Sequence, residues 1–119
     1  MPEEEPVGGA EPAFAAGQVV TVFRSRRREG TDDGYGPLAD AMLEAARAVP
    51  GFVDFSTFAA ADGERVSLVT FDSPESHAAW RDDPRHRAAQ ERGRDELYDG
   101  YSVQVARCTS ATHWSRPAD

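Results

Sequence analysis

The sequence predicts an α+β fold of the ferredoxin-like type, in which the elements follow the order βαββαβ and the strands form one antiparallel sheet. Three observations lead to this prediction. Four β-rich segments alternate with segments of helical periodicity. An Asp-Gly pair connects the second and third β-rich segments, which is typical of a hairpin. The chain of 119 residues is long enough for one domain with a single modest core, but not for two.

The first half of the chain predicts a strand, a helix and a second strand. Residues 19–26 are rich in β-branched side chains and predict the first strand. Residues 38–49 carry apolar side chains at helical spacing, and Pro50 and Gly51 end this helix. Residues 52–58 alternate between two sides, as a strand does. The apolar stripe of the helix consists of Leu38, Ala41, Met42, Ala45 and Val49.

The second half predicts a strand, two helical segments and a last strand. Residues 66–71 form the strand that follows the Asp62-Gly63 turn. Ser73 before Pro74, and Asp83 before Pro84, are N-cap signals, so we expect a short helix through Trp80 and a second helix to about residue 97. Residues 101–109 predict the last strand. The inward stripe of the second helix is expected to hold His86, Ala89, Gln90, Gly93 and Leu97.

The charge balance argues against two classes of partner. Thirteen basic residues, all of them arginine, stand against 21 acidic residues and give a net charge of −8. Such a chain repels phosphate backbones and anionic lipid, so we expect no nucleic-acid and no membrane partner. No apolar run is long enough to span a bilayer. The single cysteine, Cys108, excludes an intramolecular disulfide and a cysteine-cluster zinc site, and we expect no metal.

The chain divides into a leader, one domain and a tail. Residues 1–16 are rich in proline, glycine and glutamate and predict a disordered acidic leader. Residues 17–110 form the folded domain, and residues 111–119 a C-terminal tail. The acidic start lacks the basic and apolar segments of a secretory signal, so we expect a cytoplasmic protein. Lysine, isoleucine and asparagine, which have AT-rich codons, are absent, and this indicates a GC-rich bacterial genome.

The strands carry apolar side chains on both faces. Val19 and Phe23 lie opposite Val20 and Val22, whereas a sheet with helices on one side alone should alternate between apolar and polar residues. Helices can cover only one of these faces. We therefore expect a second copy of the chain to cover the other in a two-fold homodimer, with an apolar space for a small molecule between sheet and helices.

A series of features follows in a fixed order between residues 18 and 110. They are the first strand Val19-Val20-Thr21-Val22-Phe23-Arg24, Pro50-Gly51-Phe52 at the second strand, Trp80, Asp83-Pro84 with His86, Gly93-Arg94, and Tyr98 with Tyr101. Together this series resembles the antibiotic biosynthesis monooxygenase domain family, whose members pair as dimeric α/β barrels. The resemblance covers nearly the whole folded part of the chain, although no single element of it is specific.

The resemblance implies an activity and leaves alternatives open. Family members include oxygenases that hydroxylate aromatic polyketides without metal or flavin, and haem-degrading enzymes. We therefore expect a small cofactor-independent monooxygenase that oxidises an aromatic or enolisable secondary metabolite with molecular oxygen. A protein of the same fold that does not oxidise, such as a polyketide cyclase, an isomerase or a ligand-binding protein, remains the alternative.

Haem binding is the third alternative, and the chain fits it least. Members of the haem branch use a strand asparagine, a helix tryptophan and, ten residues later, an axial histidine. Trp80 fits this pattern, but the tenth position holds Gln90, and the chain has no asparagine. Glutamine is a poor iron ligand compared with imidazole. His86, one helical turn before Gln90, could substitute for it.

Cofactor-free oxygenation needs a base, a hydrogen-bond donor for the substrate anion and a dry pocket. His86 is the candidate base because imidazole titrates near neutrality; alternatively it only bonds a backbone carbonyl at a helix start. Trp80 could stack on a flat substrate, and it also suits the core. Tyr98 and Tyr101 could donate to a substrate oxygen, or pack as aromatic residues. His77 is a further pocket candidate for which a surface position is favoured.

Three other residues are candidates for substrate binding. Arg24 shares a side of the first strand with Val20 and Val22, so its guanidinium needs an acid or an anionic ligand if that side is buried. Arg94 could contact substrate, although a solvated helix face explains it equally. Gly93 could allow the helix to approach the sheet or a ligand closely, despite a helix cost of about 1 kcal/mol relative to alanine.

Overall fold

The four strands form one antiparallel sheet in the order second, third, first, fourth along its width. A computed structural model describes residues 13–118 of the chain. Its elements are β1 (Val19–Arg27), α1 (Asp32–Arg47), β2 (Phe52–Ala59), β3 (Arg65–Phe71), α2 (Pro74–Arg81), α3 (Pro84–Arg92), a π-helical turn (Gly93–Leu97) and β4 (Tyr98–Arg107). The predicted βαββαβ ferredoxin-like fold is confirmed, with two helices in the second crossover.

Local sequence signals account for several element boundaries. The Ser73 hydroxyl accepts a hydrogen bond from the Ser76 amide at 3.1 Å and caps α2. Asp83 Oδ1 accepts one from the Arg85 amide at 2.7 Å and caps α3. In both helices proline occupies the first turn, where its missing N–H costs nothing. Gly63, with φ +92°, supplies the left-handed conformation for the hairpin turn between β2 and β3.

Helix α1 and strand β4 differ most from their predicted bounds. Helix α1 begins at Asp32 rather than Leu38 and runs through Pro37, because packing against the second crossover stabilises its first turns. A Cβ atom on Gly34 would lie 3.0 Å from the side chain of Leu97, which shows how closely these turns pack. Strand β4 begins at Tyr98 rather than at residue 101, directly after the π-helical turn, and ends at Arg107 rather than at residue 109.

The core lies between the helices and one face of the sheet. The larger cluster joins α1 and α2 to β3, and a smaller one joins α1 to α3 and the π-helical turn. Phe71 and Val69 of β3 are the largest fully buried side chains of the described residues. The members of the larger cluster are Ala45, Ala46, Val49, Val69, Phe71 and Trp80, and those of the smaller one are Leu38, Ala89 and Leu97.

The opposite face of the sheet carries no helix. Val20 and Leu68 lie on this helix-free face beside a groove of about 570 Å³, and Phe58, also on the groove, is 58% exposed. Residues 110–112, just after β4, extend along the same groove. The predicted distribution of apolar side chains over both faces is thus observed.

Of the predicted leader, residues 1–16, the first twelve lie outside the described part of the chain. Residues 13–16 are described and are exposed. The Gln18 side chain donates a hydrogen bond to the Ala13 carbonyl at 2.9 Å. None of the helices between residues 13 and 118 has the length and apolar character that crossing a membrane requires.

Candidate functional site

A cavity of about 310 Å³ lies between the helix-covered face of the sheet and the helices. All four strands and all three helices contribute to its wall, so its shape depends on the whole fold. Most of the wall is apolar or aromatic, as in small-molecule sites generally. The lining residues are Thr21, Phe23, Leu38, Ala39, Met42, Phe55, Thr57, Ser67, Val69, His77, Trp80, Arg81, His86, Gln90, Tyr98, Tyr101, Val103 and Val105.

His86 is a buried imidazole in this wall, near the start of α3. Its Nδ1 lies 3.4 Å from the carbonyl oxygen of Arg81. Because a carbonyl can only accept, Nδ1 carries the proton in this contact, and Nε2 keeps its lone pair. Burial lowers the pKa of His86, while the Arg81 carbonyl opposes that shift. His86 therefore bonds a backbone carbonyl, as one of its two predicted roles requires, and it lies in the cavity wall, where its role as a base stays a prediction.

Trp80 belongs to the core and to the cavity at once. Its ring stacks on His86 with centroids 4.1 Å apart and tilts against Phe71 at 5.4 Å. The indole Nε1 is buried and has no hydrogen-bond partner. The Thr21 hydroxyl, on β1, is the second such atom among the described residues. Two polar groups of the cavity wall are thus left without an acceptor, which is a costly arrangement in a buried site.

Thr21 is a site residue that sequence reasoning missed. It shares a side of β1 with Val19 and Phe23, and this alternation is the signal that could have placed it. His77 is also placed differently from the favoured prediction. It is 8% exposed rather than at the surface, because α2 packs this side against Phe71, with ring centroids 6.2 Å apart. Burial lowers the pKa of His77, and Arg81 lowers it further.

Tyr98, Tyr101 and Phe23 form an aromatic cluster at another part of the wall. Their ring centroids are 5.3–5.9 Å apart. Residues 98 and 101 would face opposite sides of a regular strand, but the register shifts between Arg26 and Arg27 and places both rings on the cavity. A Cβ atom on Gly93 would lie 2.6 Å from the Tyr98 ring. Gly93 therefore permits the close approach that the sequence suggested, and its neighbour is Tyr98.

The two candidate arginines occupy different places. Arg24 does not reach the cavity, because even-numbered residues of β1 point to the helix-free face. It forms two hydrogen bonds with Glu64, at 2.7 and 3.2 Å, so an acid satisfies its guanidinium. Arg94 is the second residue of the π-helical turn. Its Nη1 donates a hydrogen bond to the hydroxyl oxygen of Tyr101 at 3.2 Å. This bond raises the pKa of Arg94.

The charge of the cavity differs from that of the chain. No aspartate or glutamate is among the lining residues, although the chain has 21 of them. Arg81 is the one lining arginine, and its Nε contacts Asp82 at 3.1 Å. Between residues 13 and 118 no group of three His, Cys, Asp or Glu side chains is placed to hold a metal ion. The wall thus combines neutral bases, aromatic rings and hydrogen-bond donors.

The two buried histidines predict a pH dependence of stability. Their pKa values lie below 6.5 in the folded state, so the unfolded chain binds more protons as the pH falls through that value. The stabilisation is complete above pH 6.5 and is lost as the pH falls towards the folded values. We expect the melting temperature to fall between about pH 7 and pH 5, before the carboxylates titrate. Thermal melts of the wild type and of the double variant His77→Phe/His86→Phe test this; an equal fall in both would contradict it.

Comparisons with known proteins agree with this fold. The family described as antibiotic biosynthesis monooxygenase matches residues 18–92. The uncharacterized protein YqjZ of Bacillus subtilis is 35% identical over 97 residues, which cover 82% of this chain and 81% of that protein.

Two solved structures share the architecture. SnoaB, a cofactor-independent oxygenase from Streptomyces nogalater, superposes with a TM-score of 0.66 at 14% identity and covers 87% of this chain and 100% of its own. A dimeric ferredoxin-like protein of unknown function from Thermobifida fusca gives a TM-score of 0.63 at 17% identity, with 82% and 99% covered. The family match extends over more than half of the chain, and the YqjZ alignment over most of it. This chain is a member of the antibiotic biosynthesis monooxygenase family.

Proposed function

We propose that the chain is a small cofactor-independent monooxygenase that oxidises an aromatic or enolisable molecule with molecular oxygen. The observation that carries the proposal is the His86 imidazole, neutral and stacked on Trp80 in the wall of a largely apolar cavity. A neutral imidazole with a free Nε2 can take a proton near pH 7. The description of SnoaB as a cofactor-independent oxygenase supports the same chemistry in a related fold.

In the proposed reaction His86 begins the chemistry by removing a proton from a phenol or enol of the substrate. The resulting anion transfers one electron to oxygen, and the substrate radical combines with superoxide to form a C–O bond. A proton on the peroxide oxygen completes a hydroperoxide. Cleavage of its O–O bond, with loss of the hydrogen on the same carbon, gives a carbonyl and one water. One substrate CH₂ and one O₂ therefore yield one C=O and one H₂O, without an external reductant.

Other wall residues are proposed to hold the substrate rather than to move protons. The Trp80 N–H and the Thr21 hydroxyl are buried without an acceptor, and a substrate oxygen would supply one if the wall shifts to admit it. Tyr98 closes the wall beside Gly93 and offers an aromatic face. The apolar lining excludes water, which would otherwise protonate the substrate anion and quench the reaction.

Oxygen uptake tests the proposal directly. With an anthrone as substrate and EDTA present, we expect the purified protein to consume one O₂ for each quinone formed, at a rate well above that of buffer. Isomerisation or cyclisation of an enolisable substrate without oxygen uptake would favour the alternative in which His86 acts only as an acid and base. No uptake and no conversion would leave a binding protein.

Hemin titration separates this proposal from haem chemistry. Gln90 lines the cavity where the haem branch has its axial histidine, and glutamine binds iron poorly. We expect no sharp Soret band beyond nonspecific uptake when hemin is added. A one-to-one band that disappears in His86→Ala would show instead that this imidazole binds haem iron.

We also propose that the chain forms a homodimer through the helix-free face of the sheet. Val20, Leu68 and Phe58 are apolar and lie on this face, and a related fold is described as dimeric. Light scattering should return twice the chain mass of 13.0 kDa. Leu68→Glu should give monomers, while Ala79→Glu on the exposed side of α2 should not. A wild type that stays monomeric at micromolar concentration would refute this interface.

A further inference from the structure

Tyr101 occupies a special position in the cavity wall. Its hydroxyl oxygen already accepts a hydrogen bond from Arg94 Nη1 at 3.2 Å. A phenol has one hydrogen to donate, and no acceptor for that hydrogen is found among the described residues. The ring lies against Phe23 with centroids 5.3 Å apart and against Tyr98 at 5.9 Å, so packing fixes its direction. Packing thus fixes the direction of the Tyr101 phenol, and its hydrogen stays available to solvent or to a ligand in the cavity.

Arg94 differs from the other arginines near this part of the sheet. Arg24 and Arg26 form ion pairs with Glu64 and Asp62, each at 2.7 Å. Arg94 forms no ion pair with any described residue, although the charges of Glu91 and Asp95 act on it from its own helical segment. Its contact is the Tyr101 oxygen. Donation from a guanidinium polarises the phenol and strengthens the hydrogen bond that the phenol can donate.

From this arrangement we infer that Tyr101 and Arg94 form a subsite for an anionic oxygen of the ligand: a phenolate, an enolate or a carboxylate on an aromatic ring system. The absence of carboxylates from the cavity wall fits this assignment, because a buried negative charge on the ligand meets no like charge there. The inference rests on the proposed function in one respect, namely that the oxygen deprotonated by His86 becomes the anion that Tyr101 holds. The substrate class is therefore an acidic phenol or enol rather than a neutral arene.

Matched ligands of nearly equal size test this inference without any turnover. Naphthalene-2-carboxylate carries the anion, and naphthalene-2-carboxamide is its neutral counterpart. We expect calorimetry to show that the wild type binds the carboxylate about tenfold more tightly than the amide, since hydrogen bonds to charged groups are stronger by about this amount. Tyr101→Phe should reduce the ratio to about one, because it removes the donor and keeps the ring. Arg94→Gln should reduce it partly.

The control is Arg92→Gln, which removes the same charge from the same helical region. Arg92 contacts Glu96 at 3.4 Å and does not line the cavity, so its loss should leave the ratio unchanged. A ratio that survives in Tyr101→Phe, or that falls equally in Arg92→Gln, would overturn the inference. Equal binding of both probes by a wild type that oxidises an anthrone would refute the subsite alone. A tenfold preference in a protein that consumes no oxygen would refute the oxygenase alone.

Discussion

His86→Ala should lower the turnover of an anthrone by about 100-fold or more, which is the usual scale for the loss of a general base. The imidazole is buried in the cavity wall, and its Nδ1 contact with the Arg81 carbonyl leaves Nε2 to take the substrate proton. Raising the pH should partly restore turnover in the variant, because the substrate then ionises in solution and no longer needs the base. The measurement is oxygen consumption between about pH 6 and pH 9.

Two further variants make this result specific. His86→Phe keeps an aromatic ring against Trp80 and removes both nitrogens, so it separates loss of the base from loss of packing. His113→Ala removes an exposed histidine of the tail and should leave turnover unchanged. If His86→Phe folds as the wild type does and oxidises the anthrone at the wild-type rate, His86 is not the base. If His86→Ala also keeps the wild-type turnover and pH profile, the role of His86 is structural.

Trp80→Ala should lower the free energy of unfolding by about 3–5 kcal/mol, which is typical of removing a buried aromatic ring. The indole is 4% exposed and contacts both Phe71 and His86, so the substitution opens a space between the core and the cavity. Trp80→Phe keeps much of this packing and removes only the unpartnered N–H. It should therefore weaken substrate binding more than it lowers stability. Urea unfolding and substrate titration measure the two effects separately.

The second tryptophan of the chain provides the matched control. Trp114 lies in the tail and is 70% exposed, and Trp114→Ala should change the free energy of unfolding by no more than about 0.5 kcal/mol. A Trp80→Phe variant that binds substrate normally yet loses stability would assign Trp80 to the core alone. Equal destabilisation by the Trp80→Ala and Trp114→Ala variants would contradict the observed packing.

Local signals were enough to predict most of the fold. Ser73 and Asp83 cap their helices through short-range hydrogen bonds, and the Asp62-Gly63 turn needs only its own backbone, so both could be recognised without the rest of the chain. The inward stripe of α3 was predictable for the same reason: a helix fixes which residues share a side. His86 and Ala89, both buried, lie on that side.

Residues whose position depends on tertiary contacts were harder to predict. Helix α2 has eight residues, too few for a clear stripe, and only its packing on Phe71 buries His77. The alternation of β1 separates Arg24 from Thr21, but it does not say which side the helices cover. The start of α1 depends in the same way on contacts of its first turns with the second crossover. These contacts join residues distant in sequence, and periodicity carries no information about them.

The register shift opposite Arg26 and Arg27 makes the site sensitive to the number of residues as well as to their type. It allows Tyr98 and Tyr101, three positions apart, to face the same cavity. Residues three positions apart point to opposite sides of a regular strand, so losing the shift while keeping every residue would turn one phenol away from the cavity. Deleting one residue between the tyrosines instead leaves them two positions apart, and a regular strand then keeps both on the same side. In relatives, a gap at this point therefore goes with a regular strand and not with the loss of a tyrosine from the cavity.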